Sequence, residues 1–218
     1  MCGEKLFSQH LESEAVPLCG LCRRAEPEFR RAVAFGAYEG VLRDLIHIFK
    51  YQRVQSAGPL LGRLLSQAVN AMQLPETLVA VPVPLSPAKR RARGFNQAEA
   101  IARAFLRTQP SGSIQLDTTS LVRTRETTSQ TGLTRHQRRA NLRGAFAVSD
   151  RAKIKGRSVL IVDDVMTTGT TAGECARVLR RAGAEQVLVA TVARATKDVE
   201  SVLAVVASVH FGGTQGHA

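Results

Sequence analysis

The chain has 218 residues, 44% of them hydrophobic, and a formal net charge of +12; it can bury one substantial core and a small appendage, but hardly two full domains. No uncharged apolar run approaches the ~20 residues of a membrane span, neither terminus carries a secretory apolar segment, and four cysteines are too few for a disulfide-stapled secreted scaffold, so a cytoplasmic protein with no membrane insertion is expected. The charge is uneven: residues 86–143 hold 12 Lys/Arg against 3 Asp/Glu, a balance of +9 that faces either solvent or an anion such as a polyphosphate or a nucleic acid.

Residues 1–31 lack long apolar runs and contain Cys19-Gly20-Leu21-Cys22, a spacing that suits a metal in a reducing compartment. They read as a small separate module, with zinc as the candidate ion, leading into Ala32-Val33-Ala34-Phe35. Val41, Leu42, Leu45, Ile46, Ile48 and Phe49 then recur at helical spacing, and Leu60, Leu61, Leu64, Leu65, Ala68 and Val69 do so again after Gly58-Pro59. Two amphipathic helices follow, with His47 expected to be packed inside the first. Residues 78–85 are a short valine-rich run suited to a buried strand, with Pro82 and Pro84 towards its end. Phe95, Ala98, Ile101, Ala102 and Phe105 mark a third helix, and Pro110 to Ser113 a loop.

Residues 123–143 show almost no apolar period, which predicts a long loop, functional or disordered. Residues 158–162 are the clearest strand, apolar between Gly156-Arg157 and an acidic pair. The helix that follows carries Cys175, Val178, Leu179 and Ala182 on its apolar face and stops at Gly183 in the left-handed position. Residues 186–192 are one more buried strand. Strand, helix and strand within about 35 residues imply a parallel crossover and an α/β core. Residues 196–218, with an apolar run at 202–209 and a glycine-rich end, form an extension to which no role is assigned.

The strongest chemical signal is Val159-Leu160-Ile161-Val162-Asp163-Asp164-Val165-Met166-Thr167-Thr168-Gly169-Thr170-Thr171. Carboxylates at the C-terminal end of a central strand lie where open parallel sheets bind ligands. Backbone N–H groups at a helix start make an anion site, Gly169 permits close approach, and Thr167, Thr168, Thr170 and Thr171 add hydroxyls. Asp163 and Asp164 accept only, which suits the vicinal hydroxyls of a ribose. A helix cap plus turn-forming threonines would explain either half alone. Together the parts resemble the 5-phosphoribosyl-1-pyrophosphate (PRPP) motif of type I phosphoribosyltransferases. PRPP demands a second phosphate cluster, and Lys89-Arg90-Arg91-Ala92-Arg93-Gly94 after the first strand supplies one, with Arg90, Arg93 and Gly94 as its candidates.

From Cys2 to about Ala195 the chain is similar to the ComF/GntX family, competence-type proteins with a short zinc-ribbon module before a phosphoribosyltransferase domain. The resemblance rests on Tyr38-Glu39-Gly40, Leu45-Ile46, Lys50-Tyr51, Pro82-Val83-Pro84 with residues 90–97, the series Arg125, Thr127, Gln130, Arg138, Asn141 and Phe146, and residues 163–171. It implies a type I fold, α/β with a parallel sheet of about five strands flanked by helices, a small hood, and a mobile loop over the site at residues 123–143. It divides the chain into a partial zinc-ribbon-like module (1–31), a phosphoribosyltransferase-type domain (32–195) and the extension (196–218). It further implies Mg²⁺ bridging pyrophosphate and ribose, Asp163 and Asp164 on the ribose, Arg93 and Gly94 on pyrophosphate, and Gln130 and Arg138 arriving with the loop. In the family the first cysteine pair reads Cys-x-x-Cys-Gly, so Cys2 would be its second member, beside Cys19 and Cys22. Either translation starts upstream of Met1 or the Zn²⁺ site has degenerated, with His10 as a substitute ligand or a plain surface residue. PRPP or a related ribose phosphate is the expected ligand, and DNA uptake the expected setting. The alternative is a non-catalytic accessory that binds single-stranded DNA and other competence proteins, using the ribose-phosphate site for docking or sensing.

Overall fold

The computed structural model describes residues 22–23, 26–52, 54–110, 112–127 and 134–195. Strands β1 (Arg31–Ala37), β2 (Leu78–Pro82), β3 (Ile114–Leu116), β6 (Ser158–Met166) and β7 (Gln186–Arg194) form one sheet, every neighbouring pair parallel, in the order β1-β7-β6-β2-β3. Period-two alternation explains why these segments are apolar throughout: both faces are covered. Val79, Val81, Val159, Ile161, Val187 and Val189 enter one core, while Leu78, Ala80, Leu160, Val162, Leu188 and Ala190 enter the other. Each fully buried Val, Leu or Ile contributes about 1.5–3 kcal/mol, so a one-residue slip would exchange both cores at once.

Helices α1 (Gly40–Tyr51), α2 (Gly58–Asn70) and α4 (Gln97–Leu106) fill the second core with Ile46, Phe49, Leu61, Leu65, Ile101 and Phe105. Helix α6 (Thr170–Arg181) covers the other face with Ala172, Cys175, Ala176 and Leu179. It ends as expected: Gly183 lies at φ +99°, the Ala184 N–H donates to the Leu179 carbonyl at 3.1 Å, and the Gly183 N–H to the Arg180 carbonyl at 2.9 Å. Cys175 is fully buried, as its place on the apolar face predicts.

Two expectations need correction, and one basic run takes a form not anticipated. Residues 123–143 are not one long loop. An antiparallel pair, β4 (Leu121–Arg123) and β5 (Phe146–Val148), brackets the segment, and α5 (Arg135–Leu142) lies within it. The signal was a capping box: the Thr134 hydroxyl accepts the Gln137 N–H, and the Gln137 side chain accepts the Thr134 N–H. Leu142, fully buried, is the helix's apolar anchor, too little to make a period. The basic run after β2 is likewise a short helix, α3 (Pro87–Arg93), with Ser86 as its N-cap and Gly94 at φ +81° as its C-cap. His47 is exposed rather than packed, and its ring meets Tyr51 at 4.7 Å, because the apolar stripe of α1 runs through Ile46 and Phe49. The zinc assignments to Cys2 and Cys19, the substitute His10, and the extension 196–218 lie outside the described residues.

Candidate functional site

The connection from β2 leads through α3 and α4 to β3 on one side, and that from β6 through α6 to β7 on the other. Strand order therefore reverses between β2 and β6, and beyond the carboxyl ends of two such strands is where open parallel sheets bind their ligands. β6 outlasts β2: its pairing with β2 ends at Val162, one further bond joining the Val83 N–H to the Val162 carbonyl at 3.0 Å, while pairing with β7 continues to Met166. Asp163 and Asp164 thus belong to the strand itself rather than following it, beside the segment that leaves β2.

Successive strand residues point to opposite faces, and this separates the two carboxylates. Asp164 is on the face of Leu160 and Val162, towards α1, and there Lys50 in the last turn of α1 meets it, Nζ to Oδ1 at 3.0 Å with side chains 14% and 10% exposed. Burial acts to lower the Lys50 pKa, but the Asp164 charge, its hydrogen bond and the Asp163 charge outweigh it and raise the ammonium above its ordinary value. Asp163 shares the face of Val159 and Ile161 and accepts the Asp164 N–H at 2.9 Å. Burial first, then the Asp164 charge, push its carboxyl up to about 7 against the pull of Lys50.

Beyond β6, Thr167 is exposed, Thr168 and Thr170 share a hydroxyl–hydroxyl bond of 2.7 Å, and Gly169 takes φ +74° at the N-cap of α6. A positive φ favours glycine there. Gly169 offers no side chain to cap this helix start, and the positive end of the helix dipole lies directly after the Thr/Gly turn. Arg138 of α5 reaches the same loop, its guanidinium 3.5 Å from the Thr167 hydroxyl.

α3 closes the other side. Lys89 and Arg93, four residues apart, share one helix face. Partial desolvation, then the charges of Arg123, Arg93 and Lys50, lower the Lys89 pKa, with Asp164 opposing. Arg93 is felt at Asp163, bonds Gln97 at 2.8 Å and lies 5.4 Å over the Tyr51 ring. Arg90 is exposed, its carbonyl accepting the Gly94 N–H at 2.8 Å. Lys50 and Arg93 therefore act on the acidic pair, Lys89 lies within reach of Asp164, and Arg123 stands beside Lys89.

The phosphoribosyl transferase domain family matches residues 90–211, more than half of the chain. Competence protein F of Haemophilus influenzae is 34% identical over 203 residues, spanning 89% of this chain and 83% of that protein. The DNA utilization protein YhgH of Escherichia coli K12 is 34% identical over 194 residues, 86% of this chain and 80% of that one. The chain belongs to the ComF-type family of phosphoribosyltransferase-domain proteins. Among solved structures, the allosteric regulatory enzyme of purine biosynthesis is 25% identical with a TM-score of 0.41, spanning 63% of this chain and 26% of that one.

Some ComF-type stretches now have a physical account. The Arg125 guanidinium donates to the carbonyls of Asn141 (2.8 Å) and Arg143 (2.9 Å), tying down the C-terminal end of α5, a structural task. Glu126 accepts the Ala88 N–H at 3.0 Å and so joins the segment after β4 to the start of α3. Tyr38 donates its N–H to the Arg194 carbonyl at 2.8 Å, which aligns the entry to α1 and hence Lys50. Gln130 lies outside the described residues, and Cys22, the described member of the cysteine set, is buried with a free thiol. Sequence reasoning gave no task to Lys50, Lys89 or Arg123. Lys50-Tyr51 was visible as a motif, but only the packing of α1 beside β6 brings it to Asp164. No helix among the described residues is long and apolar enough to cross a membrane.

Proposed function

We propose that this ComF-type chain binds PRPP, together with Mg²⁺, beyond the carboxyl ends of β2 and β6, and serves the uptake or use of DNA. The observation that carries the first part is the meeting, at a strand-order switch, of a carboxylate pair, an uncapped helix start and cations from α1 and α3. The setting follows from the names of the relatives, a competence protein and a DNA utilization protein. In this reading Asp163 and Asp164 accept the ribose hydroxyls, and the first-turn N–H groups of α6 with Thr167, Thr168, Gly169, Thr170 and Thr171 hold the 5-phosphate. Arg93 and Lys89 hold the pyrophosphate, and Arg138 leans over from α5. Arg90 would act only at the rim.

Asp163 and Asp164 point to opposite faces of β6, so they would hold a hydrated Mg²⁺ through its waters rather than chelate it jointly, its other ligands being oxygens of the bound PRPP. When bound, that ion would neutralise charge on the departing pyrophosphate. The protein's share in a displacement at ribose C1 is to fix the sugar, to stabilise charge on both sides of the breaking bond with preplaced dipoles and cations, and to keep water away. Titration calorimetry with PRPP and Mg²⁺ tests the reading. Asp163→Asn with Asp164→Asn is expected to weaken binding by about a hundredfold or more; equal affinity in the double variant would sink it.

The second reading, a nucleic-acid accessory, is favoured by the +9 balance of residues 86–143 and by the same relatives. It predicts DNA binding that survives loss of the two carboxylates.

A further inference from the structure

A cavity of about 760 Å³ begins on Thr168, Gly169 and Thr170 and runs on between α5, α6 and residues 26–29 ahead of β1. Helical spacing builds two of its walls. His136, Arg139 and Arg143 recur every three or four residues along α5 and its cap, and Gly173, Arg177 and Arg181 do so along α6. From Thr170 to Arg181 the second wall is about 16 Å long at ~1.5 Å per residue. Of the described lining residues, five are arginines and three are glutamates, and one of the arginines, Arg194, is buried at the end of β7. Glu174 is already engaged, by Arg177 at 2.6 and 2.8 Å and by the Gly144 N–H at 2.8 Å, and Glu28 lies within electrostatic reach of Arg177. Arg139, Arg143 and Arg181 are exposed and make no ion pair among the described residues. Phe29, the one phenyl ring in the described lining, is buried, so the groove offers cations to phosphates and no stacking platform to bases.

We infer that this groove is the track of a single-stranded nucleic acid whose 3′-terminal nucleotide occupies the ribose-phosphate site, the phosphodiester on its 5′ side lying where PRPP carries a free 5-phosphate. The inference rests on that proposed site and on the DNA setting, and deepens both by naming the polymer end that the site takes. Geometry sets the polarity. A sugar with its hydroxyls on Asp163 and Asp164 turns its 5-phosphate to the turn at residues 168–170, and the cavity begins at that turn, so a substituent on this phosphate is what extends into the groove. A chain continuing from the 3′ side would have to leave through the acidic pair. A base-paired end is excluded, because the terminal nucleotide must leave its partner strand to be enclosed alone. Along the walls each guanidinium offers paired donors to a phosphate, which gives binding without sequence preference.

The test is fluorescence anisotropy with a 5′-labelled oligothymidylate of about twelve nucleotides, its 3′ end either free or phosphorylated, with thermal melts alongside. The full chain is compared with Arg139→Gln plus Arg181→Gln, one change on each wall, and with a control pair, Arg63→Gln plus Arg107→Gln, exposed on the helices of the opposite sheet face. The groove pair is expected to weaken binding about tenfold and to lower the log–log salt slope by about 1.4, the share of two phosphate contacts. PRPP affinity with Mg²⁺ should stay within about twofold in that variant, and the control pair should change neither ligand. In the unaltered protein the free 3′ end should bind about fivefold more tightly than the phosphorylated one. Saturating PRPP, or Asp163→Asn with Asp164→Asn, should erase that preference and leave the salt-dependent binding of the groove. Equal affinity for the two 3′ ends, which needs no variant, or a folded groove pair with unaltered affinity and slope, overturns the inference and leaves the PRPP reading standing. Failure of the folded, unaltered protein to bind PRPP with Mg²⁺ overturns both.

Discussion

Asp163 and Asp164 are neighbours in sequence but occupy unlike surroundings. Asp164 has a lysine partner, while Asp163 is crowded by burial and by the charge beside it, and its carboxyl rises from 3.8 to about 7. The unfolded chain therefore loses this proton near pH 4 and the folded one only near 7. Between those values folding takes up a proton, so the contribution of Asp163 to stability falls as pH rises through the window and is most unfavourable above about 7. Asp163→Asn removes that cost. Its stability relative to the unaltered protein, measured by urea denaturation, is expected to improve steadily from pH 4 to 7 and then level off; a pH-independent difference would contradict the assigned cause. A residue that works against the fold at neutral pH is kept for another reason, which fits a ligand site.

The elements show where local chemistry decides and where packing does. α5 forms from a capping box and a guanidinium clamp with hardly any apolar period, so its existence rests on hydrogen bonds a hydropathy pattern cannot register. α2 and α4 are the opposite case, paired through close contact at Gly62. A Cβ there would come 2.5 Å from the Ala104 Cβ and 2.7 Å from its backbone. Alanine is favoured over glycine within a helix by about 1 kcal/mol, but backbone atoms cannot move aside cheaply. Gly62→Ala is therefore expected to destabilise by about 1–3 kcal/mol, seen as a lower urea midpoint with an unchanged slope. A midpoint at or above that of the unaltered chain would mean that the two helices can separate without cost.

At the scale of the molecule, the +12 charge has two destinations. Lys50, Lys89 and Arg93 lie within electrostatic reach of the acidic pair, whereas Arg90, Arg139 and Arg143 remain exposed. If the outer arginines serve a phosphodiester backbone, affinity for single-stranded DNA should fall with salt, with a log–log slope of about −0.7 per phosphate contacted. It should also persist in the Asp163→Asn, Asp164→Asn double variant; fluorescence anisotropy over a salt series measures both, and salt-independent binding would count against a backbone contact. The α/β class, the buried strands, the α6 stop at Gly183 and the turn from β6 into α6 were legible because each rests on a local rule: alternation, a left-handed glycine, a Thr/Gly turn after a strand. The helices at residues 87–93 and 135–142 were missed because short polar helices have caps but no apolar period. Sequence by itself determined that two adjacent carboxylates end a buried strand and lead through a threonine- and glycine-rich turn into a helix. Only the tertiary structure decided that Lys50 pairs with Asp164 and that Asp163 makes no such ion pair among the described residues, because opposite faces of one strand meet different helices, and a lysine 114 positions from Asp164 in the chain is brought there by packing alone.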